Sequence, residues 1–510
     1  MLNKSLERHW LYALCAIVLV IGIFFRLTNL DGKVYWNDEA VTSLRLSGYT
    51  EAEIIEQVYD RPPITVSEIM KYQRPNPETG LGGVINSLAT EDAHLSLLYH
   101  IVARLWVDCF SSAIATVRSL SVLFSLLALP CLYWLCLELF NSPLTGWIGM
   151  SLMAVSPFHV LYAQEARQYS LWTVAILLSC AALLKAWRVQ TTMSWLVYSA
   201  TVALGFYSHT LSILVTAGQV IYVFCLERFR LSRKFFIYLF WLTAGILAFV
   251  PWLIIAIARF SKIASNVSRT NIDIGLPALI KSWGQSLNRV FVDIPNWSDY
   301  FFPIVIFISL YAIYHLFRQS TKENFLFVTT LIGATLLLAI SDLLLGGKRS
   351  SDSRYLIPIY IGIELAVACL FSTQIFAKKS WYRLFWRTIF MVILSLGIVS
   401  GIISSQSQTW WNKYSGHHNP QIASIINKTN NAFVVSDNTP GRILSLSHLL
   451  NQKTKLLLVF DSFSLKGSGN SNNVFVYQPS SQLKKRFEQE KKYILKNIFK
   501  GWLWKLEKNK

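Results

Sequence analysis

Long apolar runs separated by short polar segments are the dominant pattern along this chain of 510 residues. A helix needs about 20 apolar residues to cross a hydrocarbon core about 30 Å thick. The runs therefore predict a polytopic membrane protein with eleven spans. These spans cover approximately 10–27, 114–139, 144–161, 168–186, 194–208, 210–226, 235–258, 301–317, 325–345, 354–376 and 385–403.

The basic residues of the short connections predict the orientation of these spans. Only Ser208, His209 and Thr210 separate the fifth span from the sixth, so the count depends on this turn. If the N-terminus is cytoplasmic, four of the five cytoplasmic connections are basic, as the positive-inside rule requires. Merging the two short spans would place the later basic connections outside. We therefore expect the N-terminus in the cytoplasm and the long connections 28–113 and 259–300 outside.

The pattern changes after Ser404, where short apolar runs alternate with polar helical segments. Residues 432–436, 455–460 and 473–477 predict strands, and residues 442–450 and 481–495 predict helices. The predicted architecture is an all-α transmembrane domain over 1–403 and a small extracytoplasmic α/β domain over 404–510. Within the first domain, 28–113 is expected to form an extracytoplasmic loop with amphipathic helices.

Composition supports the membrane class and limits the partners. Hydrophobic residues make up 53% of the chain and charged residues only 15%, whereas about a quarter of a soluble protein is charged. The net charge of +19 is spread over short connections and the C-terminal segment, which favours anionic membrane lipid over nucleic acid as the partner. The seven cysteines lie in or beside apolar runs, so no disulfide framework is expected.

Two acidic groups fall on the predicted outer side. Asp38 and Glu39 follow Asn37 shortly after the first span, and Glu165 and Arg167 occupy a tight turn between two spans. The structural alternative is a capped helix start for the first group and an ordinary paired turn for the second. The functional interpretation is a carboxylate that acts as a general base toward an acceptor, with a second acid and an orienting arginine.

A basic cluster on the same side goes against the positive-inside trend. It comprises Lys348, Arg349 and Arg354 and is followed by Tyr355. These cations suit the binding of a phosphate at the membrane surface, although contact with lipid headgroups explains them too. His94 and His209 are weaker candidates. No histidines and acids stand at a spacing diagnostic of a metal, so the metal requirement and any cofactor stay open, with a divalent cation possible.

Several short motifs resemble the GT-C glycosyltransferase superfamily, in particular family 39, which includes protein O-mannosyltransferases and aminoarabinose transferases. The resemblance covers roughly residues 10–403. It is carried by WNDEA at 36–40, YAQEARQY at 162–169, YSHT at 207–210, PW at 251–252 and SRYLIP at 353–358. The stretch 91–99, EDAHLSLLY, lacks the two prolines of the family's HPPLY motif.

The resemblance implies transfer of a sugar from a polyprenyl-phosphate donor to an extracytoplasmic protein, lipid or glycan acceptor, with inversion. It implies that Asp38 activates the acceptor, with Glu39 beside it and Glu165 as the second acid. Arg167 would orient Glu165, while Lys348, Arg349 and Arg354 would hold the lipid phosphate. His94 would reach a phosphate or the acceptor, and His209 and Tyr355 belong to the same substrate-binding set.

Two alternatives come from other functional classes. A transporter or flippase of lipid-linked sugars should bury ionisable residues in the middle of its spans, beside interrupted helices, and Glu364 is the clearest such residue here. A non-catalytic assembly protein should tolerate neutralisation of Asp38, Glu165 and Arg354 together. The outer location of most marked charges favours the enzyme.

Overall fold

The computed structural model describes residues 2–267, 271–460, 473–489 and 493–508. The chain divides into two compact units. The helical unit comprises Met1–Thr28, Ala93–Tyr99 and Arg118–Ser405, and the α/β unit comprises Asn29–Asp92, His100–Val117 and Gln406–Lys510. The α/β unit therefore joins the C-terminal residues to most of the segment 28–113, which the sequence assigned to a loop of the membrane domain.

Helices dominate the described residues. In chain order the α-helices are α1 (Leu2–Leu27), α2 (Asn37–Ser47), α3 (Glu51–Val58), α4 (Val66–Ile69), α5 (Gly80–Glu91), α6 (Leu97–Cys109), α7 (Ile114–Phe140), α8 (Pro143–Val155), α9 (Pro157–Ala163), α10 (Tyr169–Val189), α11 (Thr192–Ser208), α12 (Ser212–Leu226), α13 (Arg233–Leu247), α14 (Val250–Ala258), α15 (Phe260–Val267), α16 (Leu276–Phe291), α17 (Ser298–Gln319), α18 (Lys322–Leu345), α19 (Ile357–Gln374), α20 (Ser380–Ser405), α21 (Asn419–Asn427), α22 (Pro440–Ser447) and α23 (Ser481–Gln489). Short 3₁₀ helices cover Met70–Gln73, Arg349–Ser351, Ser353–Leu356 and Trp411–Lys413.

The strands belong to one sheet. They are β1 (Ile64–Thr65), β2 (Phe433–Ser436), β3 (Lys455–Leu458), β4 (Val474–Tyr477), β5 (Tyr493–Phe499) and β6 (Leu503–Lys508). Their order is β1-β3-β2-β4-β6-β5.

The helical unit holds the candidate membrane spans. In the described part of the chain, seven helices are long and apolar enough to cross a bilayer, or up to nine if each of two bent helix pairs is one span. All eleven predicted segments are helical, but α11 and α12 have only 17 and 15 residues and fall outside this selection. The protein is thus a mostly helical integral membrane protein, and the count of eleven stays a prediction.

The two bent pairs are interrupted beside prolines. Helix α8 begins at Pro143 with a hydrogen bond from the Thr145 N–H to the Ser142 hydroxyl, and it ends at Val155. Pro157 disfavours helical backbone at Ser156, and α9 then continues at 63° to α8. The second pair, α13 and α14, is bent by 55° just before Pro251.

The side chain of a buried arginine forms hydrogen bonds with the last carbonyl groups of α8. The guanidinium of Arg26 donates to the carbonyls of Met153, at 3.0 Å, and of Ala154, and its Nε donates to the hydroxyl of Ser125 at 2.9 Å. The last carbonyls of a helix lack partners within the helix and carry partial negative charge, so a cation stabilises them. The hydrogen bonds from Arg26 therefore stabilise the break between α8 and α9 in the interior of the helical unit.

The α/β unit is built on a mixed sheet. Strands β3, β2 and β4 are parallel, while β1 and β6 pair antiparallel with β3 and β4. One face is apolar, and Leu483 and Phe487 of α23 pack against it. The three predicted strands are confirmed, and the helix predicted over 442–450 begins at Pro440 and ends at Ser447.

The helix predicted over 481–495 is wrong at its C-terminal end. Helix α23 ends at Gln489, and Tyr493 begins the strand β5. Strands β5 and β6 form a hairpin whose turn residues Lys500 and Gly501 both have positive φ, 45° and 75°. This turn geometry matches the twist of a two-stranded hairpin and favours glycine. Tyr493 pairs with Lys508 of β6, which itself pairs with β4, and this strand pairing outweighs the helical pattern of the charged residues before it.

Candidate functional site

The connection between α9 and α10, residues 164–168, is buried in the helical unit. Gln164 anchors it by donating to the carbonyls of Phe25 and Thr28 at 2.7 and 2.8 Å. Glu165 has no exposed surface and Arg167 only 6%. Because charged groups are buried only at a cost, this acid and this arginine belong to an organised site rather than to a solvated turn.

The segment 93–99 of the helical unit carries His94 and is held from two sides. The indole of Trp252 donates to the carbonyl of Ala93 at 3.0 Å, and the hydroxyl of Ser96 donates to the carbonyl of Tyr207 at 2.8 Å. The Tyr207 hydroxyl in turn donates to the carbonyl of Ala248 at 2.9 Å. These contacts keep half-buried His94 in place without the prolines that this stretch lacks.

A short hydrogen-bonded chain joins segment 93–99 to the buried connection. The hydroxyls of Tyr99 and Ser121 lie 2.9 Å apart, and the Ser121 hydroxyl donates to the carbonyl of Arg167 at 3.2 Å. The backbone of Arg167 is therefore coupled to the segment that carries His94.

His209 is the histidine at the C-terminal end of α11 and is 9% exposed. Its Nδ1 accepts a hydrogen bond from the Leu211 N–H at 3.1 Å, so the neutral ring carries its proton on Nε2. Burial, followed by the positive charges of Arg354 and Arg167 and by His94, lowers the pKa of His209 to about 3. At neutral pH this side chain is an uncharged hydrogen-bond donor among cations.

Arg354 is the most buried cation of the predicted basic cluster, with 8% exposure. Its Nε and Nη2 lie 2.9 and 2.8 Å from Oδ2 of Asp352. The guanidinium also lies 5.4 Å from the ring centroid of Tyr169 and 5.5 Å from that of Tyr355. A carboxylate and two aromatic faces thus fix the orientation of this planar cation.

Arg349 has a different environment. Its Nη1 lies 3.4 Å from Oδ1 of Asp342, and Asp342 also accepts the N–H and the hydroxyl of Ser350 at 2.6 and 2.7 Å. Asp342 is 2% exposed, so Arg349 helps to neutralise a buried acid of α18. Lys348 is half-buried beside it.

The other two predicted acids lie in the α/β unit. Asp38 is half-buried in the first turn of α2, where its backbone carbonyl accepts the hydroxyl of Thr42 at 3.0 Å. Glu39 has no exposed surface, and its Oε2 lies 2.9 Å from Nζ of Lys413, which is equally buried. The carboxylate of Asp38 accepts a hydrogen bond from the side-chain amide of Asn37 at 3.2 Å. The two neighbouring acids therefore differ in exposure, because only Glu39 is fully buried.

Glu91 and Asp92, the acids that begin the stretch 91–99, are used within the α/β unit. Nη1 of Arg45 lies 2.6 Å from Glu91, and its Nη2 lies 2.5 Å from Asp92. Glu91 also accepts the N–H groups of Glu51 and Ala52 at the start of α3. Burial opposes the charge of Arg45, but Asp92, Glu91 and Glu51 outweigh it and raise its pKa. These acids cross-link α2, α3 and α5.

The chain is similar to one protein family and to several solved structures. Residues 96–255 match the family described as dolichyl-phosphate-mannose-protein mannosyltransferase. The crystal structure of ArnT from Cupriavidus metallidurans bound to undecaprenyl phosphate has a TM-score of 0.56 to this chain, at 12% identity over 98% of both chains. The chain therefore resembles this mannosyltransferase family over these residues and shares the fold of ArnT.

Two further solved structures share the fold of this chain. The apo state of the same ArnT gives a TM-score of 0.57 at 9% identity, again over 98% of both chains. The apo oligosaccharyltransferase of Archaeoglobus fulgidus gives 0.51 at 10% identity, over 89% of this chain and 65% of its own. No curated protein sequence matches the chain.

Several residues around the candidate site were not predicted from the sequence. Tyr169 and Trp172 of α10 frame His209, with ring centroids at 6.1 and 4.3 Å. Asp352 aligns Arg354, and Lys413 neutralises Glu39. Aromatic residues at helical spacing are no signal in a chain so rich in them, but the position of Asp352 two residues before Arg354 is a signal that could have identified it.

No group of three or more His, Cys, Asp and Glu side chains that could hold a metal ion occurs among the residues that the structure describes. The structure brings Arg167, Arg354, Tyr355, His94 and His209 together in the helical unit. Arg349 is drawn instead toward Asp342. Asp38 and Glu39 share the start of α2 in the α/β unit.

Proposed function

We propose that the protein is a membrane glycosyltransferase that moves a sugar from a polyprenyl-phosphate donor to an extracytoplasmic acceptor. The observation that carries the proposal is the buried group of Arg167, Arg354 and neutral His209 in the helical unit. Three hydrogen-bond donors buried together, two of them cations, suit a phosphate. One relative by fold has been crystallised with undecaprenyl phosphate, and the matched family is described by a dolichyl-phosphate sugar.

The leaving group explains why such a site needs cations. When the bond between the sugar C1 and the phosphate oxygen breaks, the electron pair stays with the lipid phosphate. Donors aimed at the developing charge stabilise the transition state more than the ground state. Arg354 is suited to this role because Asp352, Tyr169 and Tyr355 already hold its orientation, so little is lost in ordering it.

The acceptor must lose a proton as it forms the new bond to C1. We assign its uptake to Asp38, which is half-buried and therefore more accessible to an acceptor than the fully buried Glu39. Attack opposite the leaving phosphate inverts the anomeric centre. Glu165, fully buried and two residues from Arg167 in the sequence, is proposed as the second acid of the donor site.

The side of the membrane on which the proposed reaction occurs is inferred from the basic residues in the short connections between the spans. With the N-terminus in the cytoplasm, the connection 164–168, the turn at His209, the segment 348–355 and the C-terminal residues face outward. We further propose that Lys348 and His94 contribute to donor binding from the rim of the site.

The decisive experiment is a transfer assay on the purified full-length protein in lipid nanodiscs. Radiolabelled mannosyl, glucosyl and aminoarabinosyl phosphates of undecaprenol and dolichol are incubated singly with a membrane extract as acceptor source. Movement of label from the lipid fraction into protein, glycan or another lipid supports the proposal and names the donor. Label that stays on every donor contradicts it.

A second candidate is transport of a lipid-linked sugar. It is favoured by the interrupted helices and by the buried pair of His159 and Glu364, whose Nε2 and Oε2 lie 3.2 Å apart at the middle of α19. The same nanodisc protein, reconstituted in vesicles with a labelled donor in one leaflet, separates the two. A transporter moves intact donor across the bilayer, whereas the proposed enzyme cleaves it.

A further inference from the structure

We infer that Lys413, 374 residues away from Glu39 in the sequence, positions the helix that carries Asp38. The inference rests on the proposed function, since it gives Asp38 its importance. Nζ of Lys413 donates to Oε2 of Glu39 at 2.9 Å, and neither side chain has any exposed surface. Glu39 follows Asp38 directly, so this pair acts on the first turn of α2.

Lys413 is itself rigidly placed. It ends the 3₁₀ helix Trp411–Lys413, its N–H donates to the carbonyl of Trp410, and its carbonyl accepts the N–H of Gly416, both at 3.0 Å. Its Nζ also lies 5.6 Å from the ring centroid of Trp36, the residue before α2. A cation fixed at its backbone holds a partner more precisely than a mobile surface lysine.

Other contacts from the same C-terminal segment secure the start of α2. The Ser445 hydroxyl donates to the carbonyl of Tyr35 at 2.7 Å. A Cβ at Gly441 would lie 2.7 Å from Oδ1 of Asn37 and from Cγ2 of Val41, so α22 approaches α2 as closely as only glycine permits. The ring of Trp36 meets that of Tyr414 edge to face at 5.2 Å.

These contacts give residues 406–510 a role in the reaction. A base must be held close to its productive geometry, and a misplacement of about 1 Å costs about a hundredfold in rate. Lys413 touches Glu39 and not the reacting atoms, so it is a positioning residue. A buried carboxylate that loses its cation must become hydrated or protonated. For Glu39 this change would displace the first turn of α2.

The test compares Lys413→Gln with the double variant Glu39→Gln/Lys413→Gln, in which no buried charge is left unpaired. The control is Lys496→Gln, which breaks the exposed pair of Lys496 and Glu507 in the same unit. Hydrogen exchange of the α2 amides and sugar transfer per folded molecule are measured in full-length protein. Gly441→Ala disturbs α2 without a charge change and serves as an independent variant.

We expect Lys413→Gln to speed exchange in α2 and to lower kcat about tenfold or more, with the donor KM within about twofold of wild type. The double variant should recover part of kcat, Gly441→Ala should lower it, and Lys496→Gln should match wild type. Unchanged exchange in α2 overturns the inference, as does a normal kcat for Lys413→Gln. If wild type transfers no sugar, the proposed function fails, and exchange alone still decides whether Lys413 holds α2.

Discussion

The imidazole of His209 stacks on the indole of Trp172, with ring centroids 4.3 Å apart and 21° between the ring planes. The Leu211 N–H occupies Nδ1, so the ring presents the Nε2–H as its remaining donor. A neutral imidazole avoids repulsion from Arg354 and Arg167 and still donates to an anion. Burial and the two arginines therefore keep the ring neutral, while the stack and the Leu211 contact fix the direction of this donor.

The depressed pKa of His209 predicts a pH dependence of stability. Its pKa falls from 6.5 in the unfolded chain to about 3 in the folded protein. The unfolded state alone therefore takes up this proton between these values, so the contribution to stability is complete above about pH 6.5 and is lost as the pH falls. The expected slope is at most about 1.4 kcal/mol per pH unit.

Unfolding of the purified protein between pH 7.5 and 4.5 measures this slope. His209→Asn keeps an acceptor for the Leu211 N–H and removes the titration, so its stability should fall less steeply than that of wild type. Exposed His9, replaced by Asn, is the control for the substitution itself. Parallel curves for wild type and His209→Asn would show that the histidine does not titrate as described.

Asp38→Asn should lower kcat by about 10²- to 10⁴-fold, because the acceptor loses its general base. The donor KM should stay near the wild-type value, since Asp38 is not part of the proposed phosphate site. The matched control is Asp31→Asn, an exposed acid of the same unit. Near-normal transfer by folded, membrane-inserted Asp38→Asn removes Asp38 from the mechanism.

Arg354→Gln should raise the dissociation constant for undecaprenyl phosphate about 10- to 100-fold, the value of a charge-assisted contact of about 1.5–3 kcal/mol. Arg354→Lys should recover only part of this affinity, because it lacks the planar fork that faces Asp352 and the two tyrosines. The exposed Arg259, replaced by Gln, is the control. Binding of the lipid phosphate to nanodisc-embedded protein supplies the measurement, and equal affinities would exclude Arg354 from the phosphate site.

Arg45→Met should destabilise the protein by about 3–5 kcal/mol, because Glu91 and Asp92 would be left buried without their cation. The exposed Arg61 in the same unit, replaced by Met, should change stability little. Chemical denaturation followed by the fluorescence of tryptophans gives both values. A loss below about 1 kcal/mol for Arg45→Met would mean that the two acids find other partners.

The sequence predicted much of the local structure. The apolar runs became helices, and the three apolar segments 432–436, 455–460 and 473–477 became the parallel strands of the sheet. The sequence-based prediction failed at Tyr493, where strand formation depends on pairing with a neighbouring strand. Strand β5 pairs with β6, and β6 pairs with β4. The sequence also did not predict that the segment 28–113 packs with the C-terminal residues, although Ile64 pairs with Leu456 in one sheet.

The candidate site divides in the same way. Residue types and family motifs are sufficient to select Asp38, Glu165, Arg167, His209 and Arg354. The resemblance assigns acceptor activation to Asp38 with Glu39 beside it, but it does not indicate that Glu39 pairs with Lys413 or that Arg349 faces Asp342. Charge and spacing along the chain carry no information about which buried partner neutralises an acid.

Hydrophobic length, turn residues and basic connections are local properties, so the sequence by itself determined the membrane class, most of the long helices, three of the six described strands and the list of chemically capable residues. Which buried partner each of these residues contacts was decided by tertiary structure alone. Lys413 pairs with Glu39, 374 positions away, and Trp172 stacks on His209, 37 positions away. A buried charge needs a partner that is near in space, and the distance along the chain does not matter.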